Sequence, residues 1–180
     1  MIIHKSSYKT FRKRHEIHAV FFLRNFNDFR KIESMKNMIR RTTLKVRDIQ
    51  KSYDFYTDVL GMETYYNNEL TVKNDLLPGT KQGDKIHLII LKAQDPVIGM
   101  IGLLKPIDPE EQFPPVDFDF KFGSSVFVVG VEDVEDLYQK ALKFGAKMRA
   151  PLSETIYPGA DGNDVHVKSL GLYDPDGHFL

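Results

Sequence analysis

An α+β fold made of two βαβββ modules is what this sequence predicts, on three observations. Residues 39–105 read as a strand, an amphipathic helix and three strands. The same order returns over residues 124–180. With Val46 laid on Val131, an offset of 85, Asp48 meets Asp133, Ile49 meets Val134 and Tyr53 meets Tyr138, and Gly61 meets Gly145 after a one-residue slip. Self-similarity of this kind marks a repeated structural unit.

Each element has its own reason. IRRTTLKV (39–46) alternates and is rich in β-branched residues, so it predicts a strand. Asp48 is placed to cap the helix that follows. Ile49, Tyr53, Tyr56 and Leu60 recur at helical spacing, and Gly61 supplies the stop, which predicts a helix over 48–60. METYYNN (62–68), DKIHLIILK (84–92) and VIGMIGLLK (97–105) predict three strands. The Pro-rich stretch KPIDPEEQFPPVDF (105–118) predicts a linker.

SSVFVVGV (124–131) then predicts the first strand of the second module. Asp133 is its cap, Val134, Leu137, Ala141 and Phe144 its helical stripe, and Gly145 its stop, giving a helix over 133–145. KMRA and DVHVKSLGLY predict strands, with ETIYPGADG between them as a loop carrying Tyr157. Asp174-Pro175-Asp176-Gly177 has the chemistry of a tight turn. His178-Phe179-Leu180 open a last strand, truncated where the sequence ends.

Composition narrows the function classes. The 180 residues are 42% hydrophobic and 12% aromatic, enough for a packed core. There is no Cys, which excludes a disulfide scaffold, thiolate metal sites and cysteine catalysis. No apolar run approaches the ~20 residues that span a bilayer. A cytoplasmic protein is the expectation.

The net charge of zero hides an asymmetry. Residues 1–38 carry nine Lys/Arg and three acids, +6, so the remainder sums to −6. Phe22, Phe26 and Phe29 share one helical face in this basic arm. Three readings compete: a helix for a membrane surface or targeting receptor, a nucleic-acid arm, or sequence upstream of a true start at Met35 or Met38. The third is favoured, so neither nucleic acid nor membrane is an expected partner. Residues 1–37 are set aside as an extension of the domain at 38–180, itself divided into module one (38–105), a linker (106–121) and module two (122–180). Residues 1–34 are expected to add little to the core. His15 and His18 stand at i, i+3, but two His without a third ligand make a weak metal signal.

VRDIQKSYDFYTDVLGM, GVEDVEDLYQKALKFGA and DPDGHFL resemble the vicinal oxygen chelate superfamily, the glyoxalase, bleomycin resistance protein and extradiol dioxygenase group, over about residues 38–180. The resemblance implies paired modules forming a cup of curved mixed sheet. In the enzymes of that group, a divalent metal sits in the cup and acts as a Lewis acid. Its ligands come from the first and last strand of each module. Carried over here, those positions fall on Arg41, on Gly102 and on Val126 (or Ser125 with a register slip), and the last would follow Leu180. A guanidinium keeps its protons and cannot ligate, and neither glycine nor valine offers a donor. The expectation is therefore no metal and no cofactor.

Strand parity predicts what lines the cup instead. Arg41 and Thr43 face inward, because Leu44 and Val46 pack on the helix. Met100 and Leu104 face inward on the fourth strand, and Val126 and Val128 on the fifth. On the third strand the inward set is either His87, Ile89 and Leu91 or Ile86, Leu88 and Ile90. Tyr157 is a candidate cover. Each polar candidate has a structural alternative: a rim salt bridge for Arg41, a hydrogen-bonded sheet histidine for His87, and solvent exposure for His166 and His178. A mostly apolar cavity with a few polar anchors suits a small-molecule ligand. The function expected is a metal-free, glyoxalase-like domain binding a small, largely apolar molecule. The alternatives are an enzyme of the same superfamily (a lactoylglutathione lyase-like lyase, an isomerase or an extradiol dioxygenase-like protein) with an atypical site, or an interaction module acting as a homodimer.

Overall fold

The computed structural model describes residues 37–180. β1 (Arg41–Lys45) leads into α1 (Ile49–Asp54), which widens into a π-helical turn over Phe55–Val59. The helix starts where Asp48 accepts hydrogen bonds from the backbone N–H of Gln50 and Lys51, at 3.0 and 3.1 Å. Those N–H groups have no partner inside the helix, and the carboxylate supplies one. β2 (Glu63–Thr71), β3 (Lys85–Lys92) and β4 (Met100–Asp108) follow. They form one mixed sheet in the order β1-β4-β3-β2, with β1 parallel to β4 and the other pairs antiparallel.

Alternation decides the faces of this sheet. Leu44 of β1, Ile89 and Leu91 of β3 and Leu103 of β4 pack with Val46 and with Phe55, Tyr56 and Val59 of the helix. Leu137 and Ala141 of α2 (Val134–Phe144) and Leu172 of β6 (Asp164–Tyr173) belong to the same cluster, so both halves of the chain share one core. α2 begins where Asp133 accepts from the Asp136 N–H at 2.9 Å. It ends at Gly145, whose φ of 77° lies in the left-handed region that a side chain disfavours.

The structure differs from expectation in three places. Residues 124–131 do not form a continuous strand; Val126 alone bridges, parallel, to Phe179. A ladder needs a partner, and among the described residues the pairing here is this bridge together with the Phe127 N–H donating to the Phe179 carbonyl at 2.9 Å. β5 (Lys147–Pro158) is much longer than KMRA, and takes in Ile156 and Tyr157. These pair with His166 and Val165 of β6, so ETIYP is strand and not loop. β4 likewise runs on to Asp108, into the expected linker. Phe179 also bridges antiparallel to Tyr173, so the spatial order in this half is Val126, Phe179, β6, β5. The expectations for the basic arm and for His15 and His18 lie outside the described residues.

Candidate functional site

β1 and β4 set the first part of the site. Their register pairs Arg41 with Met100, Thr43 with Gly102 and Lys45 with Leu104, which puts these residues on the sheet face opposite Leu44 and Leu103. The side chains of Arg41 and Thr43 lie over Gly102. A Cβ built on Gly102 would stand 2.8 Å from Thr43 Oγ1, 3.1 Å from Arg41 Cδ and 3.3 Å from Arg41 Nε. Gly102 thus supplies the floor on which the guanidinium rests.

The basic residues around it are spoken for. Lys45 pairs with Glu111 at 2.5 Å, Lys92 with Glu63 at 2.5 Å and Arg47 with Asp176 at 2.8 Å, while Arg40 Nε donates to the Val97 carbonyl at 3.3 Å. Arg41 is half-buried and has no hydrogen-bond or ion-pair partner among the described residues. Burial lowers its pKa, and the neighbouring positive charge of Arg40 lowers it further. An anion beside it would relieve both effects.

The rest of this face is apolar. Met100 is buried beside Arg41 in the register. Leu104 and Ile86 pack with Val72, Leu70, Leu77 and Leu88, so side chains of the chain itself fill that end. The parity left open for β3 resolves against His87. It shares the face of Ile89 and Leu91, away from Arg41, because those two are needed in the core. Its Nε2 lies 2.6 Å from Asn67 Oδ1, a sheet histidine held by a hydrogen bond.

The other candidates are not gathered around Arg41 on this sheet. Val126 and Val128 are 46% and 66% exposed. Tyr157, on the outer part of β5, is 52% exposed. His166 reaches Glu154 at 3.3 Å and is exposed. In the second half an open recess of about 870 Å³ lies between residues 117–126 and the 173–179 hairpin. Phe118, Tyr173, Phe179, Arg149 and His178 wall it, and of the expected residues Val126 lines it. Phe118 and Tyr173 meet edge to face at 5.1 Å, with Lys147 Nζ 3.7 Å from the Phe118 ring centre.

Between the halves lies a polar network that pattern reading missed. Tyr56 donates to Asp174 Oδ2 at 2.9 Å, and both residues are buried. Asp174 Oδ1 accepts from the backbone N–H of Asp176 and His178, at 3.0 and 2.8 Å. His178 Nδ1 lies 3.0 Å from Asp174 Oδ2. Asp176 Oδ1 accepts from the Arg47 N–H at 3.0 Å and from its guanidinium at 2.8 Å, and Asp176 Oδ2 accepts from Ser52 Oγ at 2.9 Å. The Asp-Pro-Asp-Gly turn is therefore docked on the first helix by two buried carboxylates. His178, expected exposed, is half-buried here, and its bond to Asp174 raises its pKa. Burial and the adjacent Asp174 push the Tyr56 hydroxyl well above its ordinary range, so it serves as a donor. The signal available in the sequence was Ser52 and Tyr56 on the apolar stripe of the helix, four residues apart.

The metal of the resembling enzymes does not fit these residues. Arg41 presents donors only. A carboxylate side chain at Gly102 would start inside the contact distance of Thr43 and Arg41, and Val126 has no ligating atom. Among the described residues no group of three or more His, Asp or Glu is placed to hold a metal ion.

The family model of the Glyoxalase/Bleomycin resistance protein/Dioxygenase superfamily matches residues 38–180, and the chain belongs to this family. Solved structures with the same fold include the trypanothione-dependent glyoxalase I of Leishmania major, at 19% identity and a TM-score of 0.50, covering 80% of this chain and 84% of that one. The fosfomycin resistance protein FosX of Mesorhizobium loti is 16% identical with a TM-score of 0.46, over 81% and 89% of the two chains. An integron cassette protein of V. cholerae is 20% identical with a TM-score of 0.45, over 80% and 91%. At 19% identity the likeness to the Leishmania protein is one of fold. No curated protein matches in sequence. No helix among the described residues is long and apolar enough to cross a membrane.

Proposed function

We propose that this chain is a binding member of its family, taking a small, largely apolar molecule with an anionic or carbonyl head, without the family's metal. One observation carries the reading: Arg41 is half-buried over Gly102 with no acidic partner among the described residues, while the neighbouring basic side chains are engaged. A desolvated guanidinium without a counter-charge is costly, and a carboxylate that accepts a bidentate pair of hydrogen bonds offsets that cost. Thr43 adds a hydroxyl beside it, and Met100 an apolar neighbour.

The test is thermal stability in the presence of benzoate and hexanoate, with the matching amides and amines as controls. A ligand specific to the folded state raises the melting temperature by mass action. Carboxylates should stabilise, amines should not, and Arg41→Ala should abolish the shift while a chelator leaves it unchanged. A carboxylate shift that survives Arg41→Ala would remove Arg41 from the site, and about one bound metal per chain whose removal abolishes activity would replace this reading with a metal-dependent enzyme of the family.

A further inference from the structure

The first strand carries a second cation on the face of Arg41. Arg41, Thr43 and Lys45 stand at alternate positions of β1, and the register sets them beside Met100, Gly102 and Leu104 in turn. At the rise of a strand, the backbones of Arg41 and Lys45 are about 13 Å apart. The Arg41 side chain shortens that gap. Its Cδ and Nε lie 3.1 and 3.3 Å from the point where a Cβ of Gly102 would stand, two residues along the row toward Lys45. Thr43 Oγ1 lies 2.8 Å from the same point, between the two cations.

Lys45 already holds a carboxylate, and it is not one from the sheet. Glu111 follows the end of β4 at Asp108, and its Oε2 is 2.5 Å from Lys45 Nζ. The two side chains are partly open to solvent, Lys45 at 41% and Glu111 at 35%. An ion pair of that exposure contributes little, because water solvates each partner nearly as well. The segment that brings Glu111 has a further anchor, since Arg47 Nε donates to the Pro114 carbonyl at 3.0 Å. The carboxylate can therefore leave Lys45 while its segment stays in place.

The row thus has two cationic ends. Arg41 has no counter-charge among the described residues, and Lys45 has a displaceable one. The Glu111 carboxylate marks where an acid head sits on this face.

We infer that the site takes a dicarboxylate, with one head on Arg41 and the other on Lys45 in the place of Glu111. The inference rests on the binding reading of Arg41 and adds the second head. The guanidinium suits a bidentate carboxylate, and the ammonium acts as a point charge that tolerates more than one angle of approach. The middle of the ligand would be a short apolar chain, because Gly102 and Leu104 are what β4 presents between the two ends. Glu111 then acts as an internal competitor. It neutralises Lys45 in the empty site and gives way to a ligand long enough to reach it.

The experiment uses the full 180-residue chain, with adipate and hexanoate as probes at one fixed ionic strength, so that screening is equal for both. Calorimetric titration and thermal shift are the readouts. Adipate should bind more tightly than hexanoate. Glu111→Gln should tighten adipate by about fivefold, the factor that an exposed ion pair can withhold, and leave hexanoate nearly unchanged. Lys45→Met should bring adipate down to the affinity of hexanoate. Should that variant fail to fold, Lys45→Gln takes its place. Binding of hexanoate with no advantage for adipate, in the wild type and in Glu111→Gln, would overturn this inference and leave the Arg41 reading standing. An adipate affinity indifferent to Glu111→Gln, or an adipate preference that survives the Lys45 substitution, would overturn it too. Binding of neither acid would overturn both readings together.

Discussion

The hydroxyl of Tyr56 and the carboxylate of Asp174, 118 residues apart in sequence, form a 2.9 Å hydrogen bond in the interior, and neither is measurably open to solvent beyond 2%. This bond ties the first helix to the turn that closes the second half. Every buried side-chain nitrogen and oxygen among the described residues has a partner, and Asp174 Oδ2 has two, the Tyr56 hydroxyl and His178 Nδ1.

Tyr56→Phe removes the donor and keeps the ring. The packing of Tyr56 against Phe55, with ring centres 5.2 Å apart, is retained. The expected loss is about 1 kcal/mol, that of one buried hydrogen bond, since Asp174 Oδ2 keeps His178 as a partner. Urea denaturation of the two proteins measures it, and equal stability would remove Tyr56 from the latch.

Asp176→Ala should cost more than Ser52→Ala. The serine supplies one hydrogen bond to Oδ2, whereas loss of the carboxylate frees Ser52 and both donors of Arg47 together. About 1 kcal/mol is expected for Ser52→Ala and about 3 kcal/mol or more for Asp176→Ala. The reverse order in denaturation midpoints would contradict the assignment.

His178 makes stability depend on pH. Its pKa is raised above 6.5 in the folded chain, first by the hydrogen bond to Asp174, with burial opposing and the charges of Asp174 and Asp176 adding to the rise. A raised folded pKa contributes stability that is fully present below the unfolded value and is lost as pH rises through the folded value. The melting temperature should therefore fall as pH climbs from about 6.5, and the fall should be shallower in His178→Gln. Parallel pH profiles for the two proteins would show that this pair does not control stability.

Gly102→Ala tests the floor beneath Arg41. The new methyl would press on Thr43 Oγ1 and Arg41 Cδ, both on side chains that can turn away. Stability should fall by about 1 kcal/mol or less. The carboxylate-induced thermal shift should shrink, because the guanidinium is moved. Thr43→Ala in the same chain should restore part of that shift by clearing the nearest atom. A shift unchanged by Gly102→Ala would place the anion elsewhere.

What was legible in the sequence is what local chemistry decides. Asp48 and Asp133 cap their helices and Gly145 ends the second one, because an unpaired helix N–H and a left-handed φ are problems solved within a few residues. The alternation of β1 and β4 was enough to put Arg41, Thr43, Met100 and Leu104 on one face. Three matters waited for the tertiary structure. The face of His87 depended on which of two equally apolar parities the core took up, and Ile89 and Leu91 went inward with Leu103. SSVFVVGV has the composition of a strand, yet among the described residues its ladder pairing is the bridge of Val126 to Phe179 and the Phe127 N–H on the Phe179 carbonyl, and a strand exists only beside a partner. Asp174 and Asp176 read as turn residues. They are buried because Tyr56, Ser52 and Arg47, more than 100 residues earlier, bring the donors that make burial of two carboxylates tolerable. Spacing along the chain carries the first kind of information, and only contact across it carries the second.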